Sequence, residues 1–158
     1  MRHAANFFRT AIAASEALGA RAILLTKHAD LIPSRLPGSM RHCLFAPFHQ
    51  LLPLCRAIVH HGGIGTTAAA LDTGCPQLIL PLAWDQPDNA ARVVRLGAGL
   101  TLGPRHRSIG HVMRALSRLM NADIADRCGA IAKQARDQDG LELAANWVEE
   151  FAGIGKPG

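Results

Sequence analysis

The sequence predicts an α/β fold, a Rossmann-like doubly wound, mostly parallel sheet with helices on both faces and a helical C-terminal end. Three observations carry that prediction. Short apolar runs bounded by turn residues alternate with helix-length segments, as strands buried on both faces do in a parallel sheet. A glycine-rich turn, His61-Gly62-Gly63-Ile64-Gly65, joins one such run to a helix. From Ser108 onward the periodicity is helical throughout.

Each element follows from local chemistry. Phe7, Phe8, Ala11, Ile12, Ser15 and Leu18 recur at helical spacing, with Gly19 as C-cap, and Arg9 and Glu16 interrupt the apolar stretch, so an amphipathic helix fits better than a leader peptide. Ala22-Ile23-Leu24-Leu25 reads as a buried strand, and the proline-punctuated residues 32–39 as a loop. His42 to Ala46 reads as a second strand, His49 to Leu54 as a helical turn or two, and Ala57 to His60 as a third strand. Thr66 to Thr73 is a helix closed by Gly74, Gln77 to Leu80 a strand stopped by Pro81, Pro87 to Leu96 a helix ending at Gly97, and Gly99 to Leu102 a last strand. Ser108 N-caps a helix reaching Met120, and two more follow over Ala122 to Arg136 and Leu141 to Phe151. Residues 1–152 therefore form one domain, with 153–158 a frayed tail.

With 158 residues, the chain can bury roughly two-thirds of the surface it exposes when unfolded, so no staple is needed. A charged fraction of 18% and a positive mean hydropathy exclude disorder. No apolar run approaches the roughly 20 residues of a membrane span. The net charge of +5 calls for an anionic partner. Nucleic acid fits poorly, because the arginines are scattered and tyrosine is absent. Cys43, Cys55, Cys75 and Cys128 lack C-x-x-C spacing, so neither zinc nor a disulfide framework is indicated and a reduced, cytoplasmic setting is expected.

The chemistry concentrates in Ile58 to Leu71, where the glycine turn passes from strand to helix. In an open α/β sheet such a turn sits at the carboxyl end of a strand, where ligands bind. Glycines let the backbone approach an anion, and unpaired N–H groups with the helix dipole attract it. A phosphate group is the guest this predicts. The spacing Gly63-x-Gly65-x-x-Ala68, with Asp85 about 20 residues further on, also satisfies a dinucleotide fingerprint, which keeps an NAD-type binding module as an alternative. Against it, that fingerprint follows the first strand of its fold and asks for no His-His pair.

His60-His61-Gly62-Gly63-Ile64-Gly65-Thr66-Thr67, then Gly74-Cys75-Pro76-Gln77 and Pro81 to Ala90, with Phe45-Ala46-Pro47 and Gln50 to Pro53 upstream, resemble the UDP-glycosyltransferase superfamily of GT-B fold. The likeness is to the C-terminal, donor-binding half of bacterial members that glycosylate sterols, macrolides and other small lipophilic acceptors, and it covers most of residues 5–103. It implies a UDP- or dTDP-sugar as donor substrate, with no cofactor and no metal. By position, it implies that His61 contacts the diphosphate while Gly62, Gly63, Gly65, Thr66 and Thr67 line the phosphate loop. Asp85 and Gln86 correspond to the pair that meets the sugar hydroxyls, and Phe45 and Ala46 to the residues that stack on the base and meet its edge. An acidic residue that many members place on the ribose falls at Ala69, which cannot serve it.

The same resemblance implies an acceptor-binding half carrying the general base, which these residues do not include. A partner domain, or a partner chain if this is a separately encoded donor-binding subunit, is therefore expected. A strand expected ahead of the first helix is likewise missing, which would leave a sheet edge open, and Leu141, Leu143, Ala144, Trp147, Val148 and Phe151 would form a partly exposed stripe. Self-association is the expected consequence.

Overall fold

The computed structural model describes residues 2–137 and 140–153. Helix α1 (Arg2–Ala17) leads into β1 (Ala22–Leu25) and, past a turn of 3-10 helix at Ala29–Leu31, into β2 (Met40–Cys43). Helix α2 (Phe48–Leu51) continues as 3-10 helix through Leu54; β3 (Ile58–His60), α3 (Ile64–Thr73), β4 (Gln77–Ile79), α4 (Gln86–Leu96) and β5 (Gly99–Thr101) then alternate. After a 3-10 turn at Pro104–His106, the chain ends in α5 (Ile109–Leu119), α6 (Ala122–Asp137) and α7 (Gly140–Phe151). Every predicted strand and helix is present, and every strand pairing is parallel. From residue 154 on, the frayed tail expected over 153–158 lies outside the described residues. No helix among the described residues is long and apolar enough to cross a membrane.

The helix ends follow the punctuation in the sequence. Gly74 and Gly97 both adopt left-handed conformations, φ 73° and 70°, and close α3 and α4 as C-caps. Ser108 is the N-cap residue of α5 in extended conformation, though its hydroxyl meets His111 Nδ1 at 2.7 Å rather than a backbone N–H. The second strand stops at Cys43, earlier than predicted, and Leu44 and Phe45 project into solvent beyond it.

Strand β4 is the centre of the molecule, buried at all three positions. Its alternation sends Leu78 and Leu80 to one face, where they meet Ala14 of α1 and Val112, Ala115, Leu116 and Leu119 of α5. Ile79 points to the opposite face and packs with Ala90 and Val93 of α4 and Cys128 of α6. Helices thus cover both faces of β3-β4-β5, as a doubly wound fold requires.

The sheet departs from the single one predicted. The strands form two units, β1-β2 and β3-β4-β5, with no hydrogen bonding between β1 and β3. In a parallel ladder alternate residues direct their main-chain groups to opposite sides, which identifies the residues of the two open edges. Ala22 donates to Ser39 and Thr26 to Cys43, so Ile23 and Leu25 direct theirs away from β2. Ile58 donates to Pro76 and Leu80 to His60, which leaves Val59 facing away from β4. The two units are joined through helices, α1 against α5 and α2 against α3.

Candidate functional site

The carboxyl end of β3 runs straight into the glycine turn. Gly62 has φ +97°, and a Cβ there would lie 2.8 Å from Ile79 Cγ2 and 3.2 Å from the Gln86 carbonyl oxygen. Glycine is obligatory at this position on both counts. Gly63 is the N-cap residue of α3 and makes no side-chain cap. The His61 ring folds over it, with Nε2 2.9 Å from where a Cβ would stand. His61 is exposed, and its ring borders the helix N-terminus.

The first hydrogen bond of α3 runs from Thr67 N–H to Gly63 O at 3.0 Å, so the N–H groups of Ile64, Gly65 and Thr66 precede the helical ladder. Apart from its chain neighbours and the backbone of its own helix, nothing lies within 4 Å of the position a Cβ would take on Gly65. No conformational demand requires glycine there either, since its φ is ordinary. A bare, open backbone surface beside three unpaired donors fits a tetrahedral anion, and the helix dipole adds attraction.

Thr67 departs from its expected role. It is buried, and its hydroxyl donates to Gly63 O at 3.0 Å alongside its own N–H, which leaves no donor for an anion. Thr66 is half-buried at the mouth of the turn and remains the hydroxyl nearest the open backbone in sequence.

The second cluster lies at the end of β4. Trp84 has φ 63°, an uncommon conformation for a bulky residue, and is 90% exposed. Gln86 folds its side chain back, and its Oε1 accepts the N–H groups of Leu82 at 2.8 Å and Ala83 at 3.2 Å. Only its Nε2 is left for a ligand. Asp85 is exposed at the N-cap of α4 without capping by its side chain; its Oδ2 instead accepts from Asn89 Nδ2 at 2.8 Å. Arg107, unremarked in the sequence, holds the other side of this loop by donating from Nη2 to Pro81 O at 2.5 Å. Phe45 is exposed and Ala46 half-buried between β2 and α2.

A buried chain of hydrogen bonds connects the two clusters. Gln77 Nε2 donates to Thr67 O at 3.4 Å, while Gln77 Oε1 lies 3.0 Å from His60 Nε2. Gly62 N–H donates to His60 Nδ1 at 3.1 Å, and Asn89 Nδ2 donates to Gly62 O at 3.0 Å. Because Nδ1 accepts, the proton of the neutral ring resides on Nε2. Burial pushes the His60 imidazole down to about 4; the bond to Gln77 pulls the other way and His61 adds to the depression. No role in this site was legible in the sequence for Gln77 or Asn89, whereas His60 read as a strand-end residue packing beneath the loop, where it lies. The signal was faint: one amide, Gln77, opening an apolar strand and another, Asn89, on the buried side of an amphipathic helix.

The site is open rather than enclosed. Two hollows of about 400 and 320 Å³ lie elsewhere, one lined by Ile32, Pro33 and Met40 among others, the other by Cys55, Gly74 and Met120.

The chain resembles known proteins over most of its length. Residues 12–140 match the family model described as the erythromycin biosynthesis protein CIII-like C-terminal domain. The chain is 38% identical over 121 residues to the 3-alpha-mycarosylerythronolide B desosaminyl transferase of Saccharopolyspora erythraea, covering 77% of this chain and 27% of that protein. It is 35% identical over 156 residues to the vancomycin aglycone glucosyltransferase of Amycolatopsis orientalis, covering 97% and 37%. The crystal structure of glycosyltransferase VinC in complex with dTDP superposes with a TM-score of 0.75 at 29% identity, covering 96% of this chain and 38% of that one. The chain thus spans roughly a third of the length of these relatives.

Proposed function

Because this chain belongs to the erythromycin biosynthesis protein CIII-like C-terminal domain family, whose relatives above are glycosyltransferases, we propose that it binds the nucleoside diphosphate of a UDP- or dTDP-sugar donor. It would serve as the donor-binding part of an enzyme that transfers a hexose to a hydroxyl of a small lipophilic acceptor. The observation that carries this reading is the open backbone over Gly65, beside the unpaired N–H groups of Ile64, Gly65 and Thr66. The dTDP bound to VinC supports the same ligand class.

In this reading the diphosphate rests on the N-terminus of α3, and His61 donates to it from the side. As the anomeric carbon is attacked by the acceptor hydroxyl, negative charge gathers on the departing diphosphate, and these donors stabilise it. Asp85 accepts from sugar hydroxyls and Gln86 Nε2 donates to them. Phe45 presents an aromatic face for the base and Ala46 its backbone. The general base that takes the acceptor proton belongs to a further domain or partner chain.

The test is a thermal-shift comparison of UDP, dTDP, UDP-glucose and NAD on the chain and on His61→Ala. A ligand at 100 times its Kd stabilises by about 2.7 kcal/mol, which raises Tm by about 5–10 °C in a domain of this size. UDP or dTDP should give that rise, and His61→Ala should diminish it. Stabilisation by NAD alone would overturn the reading.

A further inference from the structure

Gly62 is the most permissive residue of the turn and the one whose peptide groups are most firmly tied. Its N–H is taken by His60 Nδ1 and its C=O by Asn89 Nδ2. A rotation at either group would re-aim the N–H groups of Ile64 and Gly65 that follow. The acceptor for the Gly62 N–H exists in one protonation state only. A proton on Nδ1, in the other tautomer or in the imidazolium, would set two donors against each other at 3.1 Å and drive the peptide out of place.

We infer that His60, held as the Nε2–H tautomer by Gln77, is a positioning residue that fixes the glycine turn in its anion-binding geometry and, through Asn89, ties that turn to Asp85. This rests on the nucleoside-diphosphate reading above and assigns work to residues it leaves unused. Gln77 is suited to select the tautomer because its own orientation is locked. Its Nε2 donates to Thr67 O, so Oε1 must face His60 and accept there. A carbonyl-capped strand end would satisfy any buried histidine. Here both ring nitrogens are engaged, one by a side chain 17 residues away and one by the turn itself. The ionisable neighbour that acts on His60 is His61, and Asp85 reaches it only by way of Asn89 and Gly62.

Gln77→Glu inverts the selection. A carboxylate beside Nε2–H favours the imidazolium, which puts a proton on Nδ1, and it also sets an oxygen against Thr67 O. His60→Leu fills the space without an acceptor, whereas His60→Asn returns a polar atom near the Nδ1 position. The experiment measures UDP and dTDP affinity by calorimetry between pH 6 and 8, together with the ring-nitrogen shifts of His60 and the amide shifts of Gly62, Gly63 and Gly65 by NMR. The wild type should show a bare Nδ1 throughout this pH range. Gln77→Glu should lose at least tenfold in affinity at pH 6 and recover part of it at pH 8. His60→Leu should lose affinity at both pH values, and His60→Asn should regain much of it. A protonated Nδ1 in the wild type, or unchanged glycine amides in His60→Leu, would overturn the inference. If the wild type binds neither nucleotide, the functional reading fails, and the ring and amide shifts still decide the role of His60.

Discussion

Replacing Gly65 by alanine should separate folding from binding. Gly65 stands in the first turn of α3 with ordinary backbone angles and open space around its Cα. The protein therefore gains from the change: alanine lowers the entropy lost on folding, worth about 0.5–1 kcal/mol in a helix, or about 1–4 °C in Tm. A bound phosphate would lose from it, because the methyl group occupies the space that brings the anion against the backbone. We expect UDP and dTDP affinity to fall at least tenfold, about 1.4 kcal/mol, while the melting temperature of the free protein rises. Gly62→Ala is the contrast. There φ +97° and a 2.8 Å approach to Ile79 Cγ2 combine backbone strain with overpacking, and stability should drop by about 2–5 kcal/mol. Thermal melts with and without nucleotide read both effects. Undiminished nucleotide binding by Gly65→Ala would refute the placement of the phosphate over this residue.

Acid should destabilise the fold through His60. Its imidazole titrates near 4 when folded against 6.5 when free, so between those values the unfolded chain takes up a proton that the native state refuses. The stabilisation is fully present above pH 6.5 and declines by about 3 kcal/mol as pH falls toward 4; urea unfolding should show that slope in the wild type and a shallower one in His60→Leu. Leu78→Ala, at the fully buried centre of β4, should cost about 2–5 kcal/mol by the same assay. The open edges at Ile23 and Val59 and the exposed Trp147, Val148 and Phe151 of α7 should promote self-association, and a purely monomeric mass in light scattering across a wide concentration range would count against that.

Much of this was legible in the sequence because local chemistry decided it. Gly74 and Gly97 end helices because left-handed caps admit glycine at no steric cost, and Gln77 to Leu80 read as a strand because a central parallel strand is largely apolar on both sides. The glycine turn was legible for the same reason. What eluded it depends on partners distant along the chain. Gln77 reaches His60 over 17 residues and Asn89 reaches Gly62 over 27, so no window of sequence contains either bond. The resemblance puts Thr67 in the phosphate loop by position; only the helix geometry shows its hydroxyl turned back to Gly63. The division of the sheet was equally hidden, since a strand-like run does not reveal which edge finds a partner.

That division gives the molecule two tiers of local stability. A two-stranded unit is marginal alone, so β1-β2 draws its rigidity from α1, whereas β4 lies between two helical layers. Amides of β1 and β2 should therefore exchange with solvent at a lower opening free energy than those of β4. The turn that would grip a diphosphate grows out of the firm tier, and Phe45 and Ala46 hang from the soft one. A donor would then be anchored by its phosphates first, with its base accommodated by a surface able to yield.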